Sequence, residues 1–196
     1  MNAGRITGLL LLFLSYELFA VAESLSNLIA AARARTMKHE IYDGSYRVIS
    51  YPMGDVPNDR GVCTDLIIRA YRVLGIDLQV LVHEDMKAHF AEYPQSWGLR
   101  RPDRNIDHRR VPNLQKFFER AGAKLRVSAA AAEYKPGELV TWMLPGNLPH
   151  IGIVSDQKVP GNNRPKVIHN IGAGPVEDDI LFLYPITGHY SYLLSD

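Results

Sequence analysis

Gly61-Val62-Cys63-Thr64-Asp65-Leu66-Ile67-Ile68-Arg69-Ala70-Tyr71-Arg72-Val73-Leu74-Gly75 carries a glycine-broken loop into an amphipathic helix. Val62, Leu66, Ile67, Ala70, Tyr71 and Leu74 recur at helical spacing, and Gly75 supplies the C-terminal stop. The helix therefore faces a core, with Cys63 in its first turn beside the apolar stripe. Cys63 is the only cysteine of the chain. A thiol at a helix N-terminus meets the positive end of the helix dipole, which favours the thiolate and makes it a nucleophile. The opposing expectation for a lone helical cysteine is a small buried apolar residue.

Outward from this helix, Leu25, Leu28, Ile29 and Ala32 predict a helix from Leu25 to Met37 with Ser24 as its N-cap. The pair Asp43-Gly44 between Ile41-Tyr42 and Ser45-Tyr46 predicts a hairpin running into Val48-Ile49-Ser50-Tyr51. Downstream, Leu78, Leu81, Val82, Met86 and Phe90 suggest a second helix. Val111, Leu114, Phe117, Phe118 and Ala121, closed by Gly122, suggest a third. After Pro136-Gly137 the pattern changes to short β-rich runs: Leu139–Trp142, Ile151–Val154, Lys166–His169 and Ile180–Tyr184. Helices first and an antiparallel sheet afterwards define an α+β domain.

The chain opens with Arg5, an apolar run from Ile6 to Ala20 and the small-residue site Ala20-Val21-Ala22, the pattern of a secretory signal cleaved after Ala22. An uncleaved anchor is the rival, but the run is short of the ~20 residues a span needs and Glu17 interrupts it. A single domain over residues 23–196, periplasmic or secreted, monomeric and without a membrane span after cleavage, is the expectation. An unpaired thiol in such an oxidising compartment is seldom kept for structure alone. A formal net charge of +1 gives no global attraction to nucleic acid.

A cysteine nucleophile needs an imidazole to take its proton and a further group to hold that imidazole. His150 opens the run Ile151–Val154, and His169 closes Val167-Ile168. Antiparallel pairing around the turn at Gly161–Arg164 would set the two side by side. Other chemistries are weaker. His83 and His89 are six apart, off the spacing of a two-histidine zinc pair, and no Gly-rich phosphate loop precedes a Lys-Ser/Thr. No cofactor is implied, although zinc held by His150, His169 and Asp107 stays open at this level.

Three segments resemble NlpC-type cell-wall cysteine peptidases, a branch of the papain-like fold: Tyr51 to Leu66, with Tyr51 twelve positions before Cys63; Lys135-Pro136-Gly137-Glu138-Leu139-Val140 ahead of His150-Ile151-Gly152-Ile153; and Val167-Ile168-His169. The resemblance implies Cys63 as nucleophile, His150 as base, His169 as its orienter and Tyr51 as an aid near the oxyanion. Gly54-Asp55-Val56-Pro57 to Asp65, Trp97 to Asp103, Asn105 to Arg110 and Ile168 to Gly174 are more closely similar to a bacterial family called domain of unknown function 1287.

Two departures stand out. Thr64-Asp65 follow the cysteine where the peptidases carry Ser-Gly, and a carboxylate there opposes thiolate formation unless it is paired. Asp65 is expected either to meet a substrate ammonium or to cap the helix. The second departure is an insertion over about residues 78–135, rich in Arg100, Arg101, Arg104, Arg109 and Arg110, whose guanidinium groups suit a wall-peptide carboxylate. Asp65, His108 and Arg109 are the candidate substrate contacts. The resemblance thus implies a secreted cysteine hydrolase acting on amide bonds in the peptide part of peptidoglycan. A non-catalytic wall-binding module and an acyl or peptidyl transferase are the alternatives.

Overall fold

A computed structural model describes residues 20–193. The expected export signal falls outside the described residues except for its last three, which belong to the first helix, α1 (residues 20–35). Ser24 therefore sits inside α1 and caps nothing. Leu28, Ile29 and Ala32 of α1 are buried, as the spacing predicts. No helix among the described residues is long and apolar enough to cross a membrane.

The expected hairpin at Asp43-Gly44 does not form. Instead β1 (Ile41–Tyr42) pairs in parallel with β2 (Arg60–Gly61), with Tyr42 opposite Gly61. Asp43 is used otherwise: its carboxylate accepts from the Ser45 amide at 2.9 Å and pairs with Arg47 and Arg60, holding the chain in a turn instead of a strand return.

Helix α2 (Cys63–Val73) follows directly. Its N-cap, Val62, has no side-chain oxygen, so the cap comes from Asp65, which accepts the Val62 amide at 2.7 Å. Gly75 ends the turn at φ +75°, a conformation that disfavours any side chain. Helix α3 (Leu78–His89) is capped by Asp77, and α4 (Val111–Arg120) carries a proline in its first turn and ends before Gly122 at φ +73°. Between α3 and α4 lies a 3₁₀ turn at Asp107–Arg109 that packs on both.

The C-terminal half builds β3 (Leu139–Leu144), β4 (Leu148–Lys158), β5 (Pro165–Asn170), β6 (Pro175–Asp178) and β7 (Ile186–Tyr190). They form one antiparallel sheet in the order β6-β5-β4-β3-β7. With the four helices, the described residues make an α+β domain.

The two faces of the sheet have different occupants. Leu139, Ile151, Ile153, Ile168 and Tyr190 meet the helices, while Val140, Trp142, Val154 and Val167 meet Tyr134, Ile180 and Leu181. The expected strand at Ile180–Tyr184 is this second cover. Its chain crosses from edge strand β6 to edge strand β7, and Leu181 accepts a hydrogen bond from the Trp142 indole at 3.0 Å. Ile180 and Leu181 are apolar because they roof a sheet, not because they pair within it.

Candidate functional site

Cys63 is the first residue of α2, and the β1–β2 pairing sets Tyr42 beside it. The Tyr42 phenol lies near enough to the Cys63 thiol for the two to affect each other's ionisation. The sulfur also faces the backbone amides of Thr64 and Ile151. Bridge pairing between β4 and β5 begins at Gly152 opposite His169, so Ile151 lies just beyond that ladder, where its amide can meet the sulfur.

The thiol is only 4% exposed, and burial pushes it up to about 12, from an ordinary value of 9.0. The amide donors oppose that rise, and the Asp65 carboxylate adds to it. The thiolate expected from the helix dipole is therefore not the resting form: desolvation outweighs the dipole. Tyr42, exposed along one side, is pushed up to about 12 by partial desolvation and by the neighbouring Cys63 and Asp65. The resting pair is a neutral thiol against a neutral phenol.

His150 and His169 meet as the antiparallel pairing of their strands requires. Nε2 of His150 lies 3.2 Å from Nδ1 of His169, and the rings stand edge-on at 88° with centroids 5.2 Å apart. His150 also lies against the Trp142 ring, its cross-strand partner, at 5.7 Å. By register both histidines belong to the Trp142 face of the sheet, and the sulfur reaches β4 from the helix side, at the amide next to His150. Burial pushes His150 down to about 3, with His169 adding to the effect, and pushes His169 down to about 4. Both rings are neutral near pH 7. Nδ1 of His150 has no hydrogen bond from the described residues, and Nε2 of His169 is buried without a partner.

Tyr51 is placed elsewhere. Its hydroxyl donates to Glu84 at 3.0 Å, and its ring packs on His83 at 5.4 Å beneath Arg104. The position at the sulfur belongs to Tyr42, which counting back twelve residues misses because Tyr51 is drawn to His83 and Glu84 of α3. The signal that marks Tyr42 is the β-prone pair Ile41-Tyr42, which finds its partner at Arg60-Gly61.

Asp65 and Arg109 also point inward. Arg109 grips both Asp65 oxygens, at 2.7 and 2.9 Å, with side chains 2% and 3% exposed, and donates to the carbonyls of Ser45 and Asp43. The carboxylate that caps α2 is thus neutralised by a guanidinium that pins the 43–45 turn, and the charge of each is spent on the other. His108 is buried, and desolvation pushes it down to about 3. Asp107 is held by Arg110 and the Asp103 amide, apart from the two sheet histidines. Among the described residues no three metal-binding side chains converge.

Residues 29–192 match the profile of a family described as domain of unknown function, DUF1287. The chain belongs to that family. It is 52% identical over 154 residues to the uncharacterised protein YijF of Escherichia coli (strain K12), a match covering 79% of this chain and 75% of YijF. No solved structure matches this DUF1287 chain.

Proposed function

We propose that this DUF1287 protein is an exported cysteine hydrolase of the NlpC-like, papain-type kind, acting on amide bonds in the peptide part of peptidoglycan. The observation that carries the reading is the His150–His169 contact at 3.2 Å, with the sole thiol of the chain near the adjoining Ile151 amide.

In this reading His150 donates its Nε2 proton to Nδ1 of His169. That tautomer leaves Nδ1 of His150 with a lone pair; ring and sulfur are not hydrogen-bonded at rest, so transfer of the thiol proton to it requires substrate to bring the two together. Substrate displaces the Tyr42 segment from the sulfur. The ionised sulfur then attacks the carbonyl carbon, and the electron pair of the C=O bond moves to oxygen. Backbone amides at the start of α2 are suited to hold that oxyanion. Collapse expels the amine, which takes the proton from His150 and leaves a thioester on Cys63. Water, deprotonated by His150, cleaves the thioester and restores the thiol. The high resting value of the thiol keeps it unreactive towards oxidants until a substrate enters.

Incubation of purified protein with soluble wall peptides tests the proposal. Wild type is expected to release new amine termini, and Cys63→Ala to lose roughly a thousandfold or more of that rate. Turnover that survives Cys63→Ala removes the reading.

A further inference from the structure

The insertion contains two kinds of arginine. Among the described residues every arginine except Arg100, Arg101, Arg104 and Arg126 has a carboxylate partner. Three of these four fall within five residues of one another. Arg101 and Arg104 line an open hollow of about 490 Å³ together with Tyr46, His83 and Asn105. The one carboxylate in its wall, Asp103, is already occupied: it accepts from the Asn105 amide at 2.9 Å and from the Tyr46 hydroxyl at 3.0 Å. The buried Nδ1 of His83 has no protein partner in the same wall.

A second hollow, of about 350 Å³, is lined by Gly44, Val62 and Trp97 and shares Tyr46 with the first. Val62 immediately precedes the nucleophile, and Gly44 lies two residues beyond the tyrosine that covers it. The two hollows adjoin at Tyr46, and together they form a trough from Val62, next to Cys63, to a pair of guanidinium groups with no carboxylate partner. Paired N–H donors on Arg match the two oxygens of a carboxylate, and no protein carboxylate competes for Arg101 or Arg104.

We infer that the trough is a binding site for an acidic peptide, with a carboxylate seated between Arg101 and Arg104 and the chain laid along Tyr46 and Trp97 towards Cys63. The inference rests on the hydrolase reading for its direction, and its test does not depend on turnover. Trp142 is fully buried and Trp97 is 40% exposed in the trough wall, so a ligand-dependent change in tryptophan emission reports on Trp97.

The experiment titrates the full chain carrying Cys63→Ala with the tripeptide Ala-Glu-Ala, whose two carboxylates outweigh its single amine near neutral pH, and with the same tripeptide amidated at both carboxyl groups. The expected result is saturable binding of the acidic peptide, weakened at least about tenfold by amidation, by Arg101→Gln with Arg104→Gln, and by raising salt. The double change alters exposed side chains, so its thermal midpoint should match the parent and exclude misfolding. Equal binding of the amidated peptide, undiminished binding by the double variant, or no binding of the acidic peptide overturns the site. The hydrolase reading fails on a different result, turnover surviving Cys63→Ala.

Discussion

Arg104 and Arg109 stand five residues apart in the same insertion and do opposite things. Arg109 is buried, holds both oxygens of Asp65 and ties the 43–45 turn to the start of α2. Arg104 lies open over the Tyr51 ring with no carboxylate partner. The contrast extends around each residue. The inner side of the site, with Asp65, Arg109, His108, His150 and His169, is desolvated and internally satisfied or neutral. The outer side, with Tyr46, Arg101 and Arg104, faces solvent with unspent charge. Sequence spacing makes these arginines look alike; what separates them is whether a buried acid faces them.

If the inner side is structural, Arg109→Ala should have the largest effect, because it strands the Asp65 carboxylate in the interior. Breaking such a buried pair costs about 3–5 kcal/mol. Chemical denaturation should show that loss, and a change under about 1 kcal/mol would place Arg109 with the outer group.

Acid should act next, ring for ring, and again only on the inner side. His108, His150 and His169 sit at about 3, 3 and 4 when folded, against an ordinary 6.5. The unfolded chain therefore takes up protons that the folded chain refuses. Folding is fully favoured above about pH 6.5 and loses stability as the pH falls towards the folded values, by on the order of 3 kcal/mol per ring near pH 4. Thermal midpoints recorded from pH 7.5 to 4 should fall steadily. A flat profile would mean that these rings are hydrated.

The thiol offers a third point of leverage. A group raised from 9.0 to about 12 holds roughly a thousandth of the ordinary thiolate at neutral pH, so iodoacetamide should label Cys63 slowly. Tyr42→Ala, which removes the half-exposed cover, should speed labelling at least about tenfold. Equal rates with and without Tyr42 would show that something else seals the sulfur.

The smallest effect belongs to the outer side. Arg101→Gln and Arg104→Gln should each leave stability within about 0.5 kcal/mol. A larger loss would mean that these groups hold the insertion together.

Much of the architecture was legible because one-sided burial leaves a periodic trace. Leu66, Ile67, Ala70 and Tyr71 marked α2, and Ile151, Ile153 and Ile168 marked the helix-facing side of the sheet. The adjacency of His150 and His169 followed from pairing β4 with β5 around a short turn. Three features were hidden because their determinants are non-local. Ile180-Leu181 carries strand-like composition while roofing the sheet under Trp142. Ile41-Tyr42 pairs with Arg60-Gly61 across an intervening loop instead of with its neighbour, and so Tyr42, not Tyr51, stands at the sulfur. Asp65 looked like a liability to the thiolate until Arg109, 44 residues later, appeared against it.

The central claim is that Cys63 forms a covalent bond to substrate. Because the chain has a single cysteine, acid-quenched turnover followed by intact-protein and peptide mass spectrometry reads this directly. The account predicts a species heavier by the acyl half of the cleaved wall peptide, mapping to Cys63 and absent from Cys63→Ala. Continued turnover with no adduct on Cys63, and at an undiminished rate in Cys63→Ala, would contradict it.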